Sequence, residues 1–417
     1  MSDVRAGRPV GLRLLNGVGG ALRSAGLPLV RLDAASLIQA ARQKTGLAHF
    51  GDEHFREPLR LLTESFERDA RLTFLGRMIA RADLLRLLEY RLQVEAVHTA
   101  HPEITTAPIV RPLFVLGLPR TGTSILHELL AQDPASRLPM SWESMYPAPP
   151  PERATFDTDP RIAQVDKHLA GVDRLIPDFK SIHPMGARLP QECVALTAYD
   201  FASLQFHTTN RLPSYQAWLD DADLTWVYQQ HRRWLQYLQW KVQADRWVLK
   251  SPGHLWGLDA LLAVYPDARI VQTHRDPLKV IASLVSLICT LRSMASDDID
   301  PHEIGTDWTV RLARGLEHSI DVRDRVRLPA SQVFDVQLPE FLRDEIGTVR
   351  RIYAHFEMTL SADAEDRMRR FLAANQADKH GRHTYRLGLG GLDEATERRR
   401  YARYQERFAI PNERIEP

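Results

Sequence analysis

Four short apolar runs, each leading through a loop into an apolar-periodic helix, constrain this chain more than any other feature. The first, Leu113-Phe114-Val115-Leu116, ends at Gly117; the others are Trp247-Val248-Leu249, Arg269-Ile270-Val271-Gln272-Thr273 and Gln332-Val333-Phe334-Asp335-Val336. Runs this short and continuous are what strands buried on both faces of a parallel sheet look like. Helical periodicity follows over 257–264, 277–288 and 339–356, which is the βαβ rhythm of an α/β fold with helices flanking a parallel sheet. Ligands of such sheets sit beyond the carboxyl ends of strands, so chemistry is expected after residues 117, 250 and 274.

Ahead of this core, Asp33 is placed to cap a helix carrying Leu37, Ile38 and Ala41, and Leu59, Leu62, Phe66, Leu72, Leu75 and Ile79 recur at helical spacing. The texture changes at His101–Pro112, giving an N-terminal helical region (1–100) and an α/β domain (101–417). A helical insertion, 140–245, separates the first two runs and opens with Pro147-Ala148-Pro149-Pro150-Pro151. Six of the eight tryptophans, Trp218, Trp226, Trp234, Trp240, Trp247 and Trp256, fall within 39 residues across its end. They suit the wall of an apolar acceptor pocket, and equally helix packing around the sheet.

With 54 Lys+Arg against 53 Asp+Glu, the whole-molecule field gives no reason to expect nucleic-acid binding, and any anion site must be local. Two cysteines, Cys193 and Cys289, make neither a disulfide framework nor a four-ligand zinc site, which fits a cytoplasmic protein. No stretch is apolar enough to span a membrane. Residues 1–31 set Arg5, Arg8, Arg13, Arg23 and Arg31 among Leu12, Leu14, Leu15, Val18 and Leu22 with one acid, Asp3. That pattern suits peripheral contact with an anionic membrane. Packing on the body of the protein is favoured, because Gly17, Gly19 and Gly20 weaken a free-standing helix.

The most informative stretch is Gly117-Leu118-Pro119-Arg120-Thr121-Gly122-Thr123-Ser124, between the first run and Ile125-Leu126-His127-Glu128. A glycine-containing loop between a strand and a helix start presents backbone N–H groups and a positive dipole end to a phosphate. The glycines have the spacing of a nucleotide P-loop, yet Thr123 stands where that loop needs lysine and the cation comes earlier, as Arg120. A magnesium-dependent small-molecule kinase is therefore disfavoured.

Pro119-Arg120-Thr121-Gly122-Thr123-Ser124 resembles the 5′-phosphosulfate loop of sulfotransferases that use 3′-phosphoadenylyl sulfate (PAPS), in the bacterial branch where arginine replaces the loop lysine. The resemblance implies that Pro119, Arg120, Thr121, Gly122, Thr123 and Ser124 hold the donor's 5′-phosphate and sulfate. A second motif agrees with it. Arg275 closes a strand and Ser283 lies eight positions on, the spacing of the family's 3′-phosphate motif, with Asp276 placed to cap the helix between them. Near the C-terminus, Lys379-His380-Gly381-Arg382-His383 resembles the family's basic loop, so Arg382 or His383 is a further candidate for the 3′-phosphate. Ile125 departs from members that stack adenine on a tryptophan there.

The activity implied is in-line transfer of a sulfuryl group from PAPS to a hydroxyl, leaving 3′-phosphoadenosine 5′-phosphate (PAP). Positioning and cations do most of the work in such transfers, and no metal is called for. Lys250, delivered by an apolar strand and resembling the family's strand-end lysine, joins Arg120 as the stabilising pair. For the base, Glu143 in Ser141-Trp142-Glu143 is preferred narrowly over His254, with Glu192 third. The acceptor reads as a small molecule or lipid with an apolar or aromatic body. A noncatalytic PAPS- or PAP-binding protein is the remaining alternative.

Overall fold

The computed structural model describes residues 10–25, 29–175, 185–375 and 387–415. All the expected runs form strands: β1 (Leu113–Gly117), β3 (Arg246–Lys250), β4 (Arg269–His274) and β5 (Val333–Gln337). A two-residue strand not anticipated, β2 (Ser136–Arg137), pairs with Arg246 and Trp247 at one edge. The pairings are parallel and the order is β2-β3-β1-β4-β5. β1 is central: Leu113 lies opposite both Val248 and Arg269, and Gly117 opposite Thr273.

Side chains alternate across the sheet into two cores. Phe114, Leu116, Leu249 and Ile270 enter the larger one, while Leu113, Val115, Val248 and Val271 pack with Leu126, Leu129, Phe341 and Ile352 on the other face. Each such side chain, fully buried, contributes roughly 1.5–3 kcal/mol, which fixes β1 as the rigid centre that carries the first loop. The 339–356 stretch, expected as one helix, is two, Leu338–Arg343 and Glu345–His355. Asp344 interrupts it, with its Oδ1 accepting the Gly347 N–H at 2.8 Å as a new N-cap.

The helices Ala34–Thr45, Arg56–Arg68 and Phe74–Ala100 put Leu37, Leu59 and Leu88 into the same larger core as the sheet. Asp33 caps the first of them as expected, accepting from Ser36 N at 2.8 Å. Arg91 ties this region to the insertion, donating to the buried Asp200 carboxylate and to the carbonyls of Phe50 (3.1 Å) and Asp52 (2.8 Å). The helix Val10–Ser24 docks through Asn16, whose Oδ1 accepts the Leu75 N–H at 3.0 Å, and through Gly19, where a Cβ would lie 2.4 Å from the Phe74 ring. Packing on the body therefore holds for this helix, although Leu14 and Val18 stay more than 60% exposed. No described helix is long and apolar enough to cross a membrane.

Candidate active site

The first loop is held by close approach. Gly117 has φ 148°, and a Cβ there would lie 2.3 Å from Thr273 Oγ1; Gly122, with φ 88°, would meet Leu338 Cδ1 at 2.7 Å. Thr121 is buried, its Oγ1 2.6 Å from both the Leu118 carbonyl and Thr273 Oγ1. Its hydroxyl is thus spent pinning the loop to the end of β4, which leaves its backbone to face an anion. Arg120 takes φ 66°, a left-handed conformation that costs a non-glycine residue roughly 1–2 kcal/mol. The chain then enters the helix Thr123–Leu130, whose first-turn N–H groups have no intrahelical acceptor. Ile125 packs against the smaller core.

The second motif meets the first. Arg275 Nη1 donates to the Arg120 carbonyl at 3.0 Å, joining two segments 155 residues apart. Its Nε and Nη2 hold the two carboxylate oxygens of Glu413 at 2.8 and 2.9 Å. The next residue, Asp276, caps the helix Pro277–Arg292 by accepting from Leu278 N at 3.0 Å. Ser283 is buried in the second turn of that helix.

Lys250 ends β3, and its Nζ donates to Ser124 Oγ at 3.2 Å and to the Glu192 carboxylate. Three segments, from the first loop's helix, β3 and the insertion, therefore converge on one ammonium. Four residues on, His254 is 2% exposed; its Nδ1 lies 2.8 Å from Tyr228 Oη and its Nε2 has no hydrogen-bond partner among the described residues. Burial, helped by the neighbouring His231, holds its pKa well below the ordinary histidine value, and burial pushes that of Tyr228 well up. Tyr228 thus keeps its proton, and its hydroxyl has no other hydrogen-bond partner among the described residues. In the tautomer in which Tyr228 donates to Nδ1, the imidazole is neutral with its N–H on Nε2.

The structure does not bring Glu143 to this cluster. It is fully buried and makes a two-bond pair with Arg137, Nη1–Oε1 2.7 Å and Nη2–Oε2 2.5 Å, while Oε1 also accepts the Met140 N–H at 2.8 Å. Arg137 is sandwiched at 4.9 Å by the rings of both Phe156 and Trp247. The residue preferred from the sequence, Glu143, thus neutralises a buried guanidinium and closes a helix start, and the carboxylate touching Lys250 is Glu192.

An apolar cleft lies beside the segments that carry Lys250 and Glu192. Cys193 and Val194, which follow Glu192, and Ser251 and Gly253, which follow Lys250, line it with Leu219, Leu224, Val227, Tyr228, His254 and Trp256. Of the two readings of the tryptophan cluster, core packing accounts for more of it than a wall of this cleft. Of the six clustered tryptophans Trp256 alone lines this cleft, while Trp234 and Trp247 are buried in the core.

This arrangement can be set against known proteins. A family model described as "Sulfotransferase family" matches residues 112–362, more than half of the chain. The chain belongs to the sulfotransferase family. Among solved sulfotransferases it is similar to STF1 from Mycobacterium tuberculosis H37Rv, at 35% identity and a TM-score of 0.79 over 89% of this chain and 100% of that one. It is similar also to STF9 from Mycobacterium avium, at 32% identity and a TM-score of 0.84 over 91% and 97%. A curated relative, "Omega-hydroxy-beta-dihydromenaquinone-9 sulfotransferase Stf3" of Mycobacterium bovis, is 27% identical over 280 residues, 63% of this chain and 66% of that protein, just under two thirds of its length.

Within this sulfotransferase fold, Arg120, Ser124, Lys250 and Arg275 are joined by direct contacts or through the loop they share. Arg382 and His383 lie outside the described residues. Sequence reasoning missed Tyr228 and Glu413. Nothing local marks either, since each acquires its role from a partner 26 and 138 residues away, respectively. Among the described residues no group of three or more His, Cys, Asp or Glu side chains is gathered as a metal site requires.

Proposed function

We propose that the protein transfers a sulfuryl group from PAPS to a hydroxyl on an apolar, lipid-like acceptor. The single observation that carries this reading is the meeting of the two phosphate motifs, Arg275 on the Arg120 carbonyl, beside a buried lysine that already contacts Ser124. The residues fit the donor chemically. Gly117 and Gly122 keep the loop clear of side chains, and the Arg275 fork already grips a planar oxyanion, the Glu413 carboxylate. When bound, PAPS supplies the sulfuryl group and a phosphate as leaving group.

The chain's own residues then have distinct tasks. Backbone N–H groups of 121–124 and the Arg120 guanidinium would hold the 5′-phosphosulfate; Arg275 and Ser283 would hold the 3′-phosphate. Lys250 neutralises charge developing between donor and acceptor oxygens. Glu192, beside Lys250, takes the hydroxyl proton, and His254 Nε2–H orients the acceptor oxygen at the cleft. This reading assigns Glu143 to structure.

The cleft and the printed name of the curated relative both favour a hydroxyl at the end of an apolar chain. The experiment is turnover: PAPS with a long-chain terminal alcohol in chelator, following PAP release. Turnover supports transfer; PAP binding without turnover of any hydroxyl acceptor returns the protein to the noncatalytic alternative. The exposed Leu14 and Val18 leave room for lipid-surface contact by the first helix, and unchanged pelleting with anionic liposomes after deletion of residues 1–25 removes that idea.

A further inference from the structure

We propose that residues 411–415 form a strap that occupies the phosphate-reading fork of Arg275, so that strap and donor compete for it. The proposal rests on the donor-site reading above and concerns the regulation of that site. Glu413 meets Arg275 through two parallel bonds, 2.8 Å from Nε and 2.9 Å from Nη2. This is the fork-to-fork geometry with which arginine takes either a carboxylate or a phosphate. The third direction of the guanidinium is fixed by the Arg120 carbonyl at 3.0 Å. Glu413 thus sits on the edge of Arg275 that the first loop leaves open.

The strap is fastened to the same helix start that carries the motif. Asp276 accepts the Glu413 N–H at 2.7 Å and pairs with Arg398 at 2.8 and 2.7 Å. Lys279 Nζ reaches the Arg414 carbonyl at 3.1 Å, and Gln405 Nε2 donates to Asn412 Oδ1 at 2.9 Å. Buried Ile410 anchors one end. The Arg275 and Glu413 side chains are 22% and 27% exposed, so water screens the pair and a more highly charged oxyanion can displace it. A 3′-phosphate on Arg275 would also set like charge beside the Glu413 carboxylate. Donor binding therefore requires Glu413 to leave, and apparent donor affinity is reduced by the fraction of molecules in which the strap is closed.

The test is calorimetric titration of the full chain with PAP, and with adenosine 5′-phosphate as the probe lacking a 3′-phosphate. Glu413→Gln is expected to bind PAP about 3- to 10-fold more tightly and adenosine 5′-phosphate unchanged. Unchanged or weaker PAP binding overturns the proposal, because the carboxylate then only positions Arg275. Hydrogen exchange on the unmutated protein gives a second readout. Amides of 412–415 should exchange faster at saturating PAP, and equal or slower exchange overturns the strap. A different failure marks the donor site itself: no PAP binding by either protein, or an unchanged Kd in Arg275→Ala, removes the reading on which the strap depends.

Discussion

In the proposed reading the donor side of the site is built from two short stretches, 117–124 and 275–283, whereas the acceptor side draws Glu192, Tyr228 and His254 from three separate places. The donor groups are mainly backbone N–H groups and guanidinium ions at strand ends, and their placement follows from the sheet. The acceptor groups are side chains whose roles are set by partners, Lys250 for Glu192 and Tyr228 for His254. Phosphates recur in every donor molecule and are met by a local motif, while an acceptor is met by whatever the insertion folds against that edge.

The comparison is broken most directly at the point where the two sides touch. Lys250→Ala and Glu192→Gln should each lower kcat by roughly 10² to 10⁴, with PAP binding by Glu192→Gln retained. If Glu192→Gln keeps full turnover while Glu143→Gln loses it, the assignment of the base returns to Glu143. The same substitutions separate structure from chemistry. Removing the Glu143 carboxylate with Glu143→Ala leaves Arg137 buried without its partner, and breaking such a pair costs about 3–5 kcal/mol. Denaturant unfolding should show this loss for Glu143→Ala and little change for Glu192→Gln.

On the donor side, Arg275→Ala should weaken PAP binding by about 10- to 100-fold, the range expected for a charge-assisted hydrogen-bond pair. Binding of adenosine 5′-phosphate should change little. An equal loss for both ligands would mean that Arg275 supports the loop through the Arg120 carbonyl rather than reading a 3′-phosphate.

These expectations follow how much the sequence revealed. The strands around β1 were legible because each carries an apolar run in the sheet, and the two loop-to-helix segments because a loop and the helix after it are contiguous. β2 was not, since Ser136 and Arg137 are too few to carry a period and become a strand only by pairing with Arg246 and Trp247. The break at Asp344 left a signal, an Asp followed three residues on by the Gly347 amide it caps, outweighed by the apolar periodicity on either side. The sequence put Glu143 ahead of Glu192 without seeing either partner. The two carboxylates look alike until Arg137 claims one and Lys250 the other. The tryptophan cluster left two readings open for a related reason: composition locates aromatic residues, but packing decides which of them face a cleft.

Both sides carry a buried histidine that titrates. His127, on the helix Thr123–Leu130, and His231, on the insertion, are buried, and burial lowers both pKa values from 6.5 to about 3. Between those values the unfolded chain binds protons that the folded protein does not, so stability is full above pH 6.5 and falls as pH drops toward 3. Each histidine contributes at most about 1.4 kcal/mol per pH unit in that window. Urea midpoints measured between pH 7 and 4 should fall, and His231→Asn should flatten the slope. An unchanged slope would mean that His231 is protonated in the folded protein.

The smallest effect sharpens the acceptor side. Tyr228→Phe removes one hydroxyl and leaves the ring in the cleft wall, so the expected loss of stability is only about 1 kcal/mol. Its chemical consequence is specific, because a Tyr228 proton donated to Nδ1 would place the His254 N–H on Nε2. Without it either nitrogen can carry the proton, and part of the population presents a lone pair, which repels the oxygen lone pairs of an alcohol oriented by Nε2–H. KM for the acceptor should rise several-fold with kcat nearly unchanged, whereas loss of a base lowers kcat. If Tyr228→Phe raises kcat, and His254→Ala costs more than Glu192→Gln, the Nε2 lone pair is the base and Glu192 serves to hold Lys250.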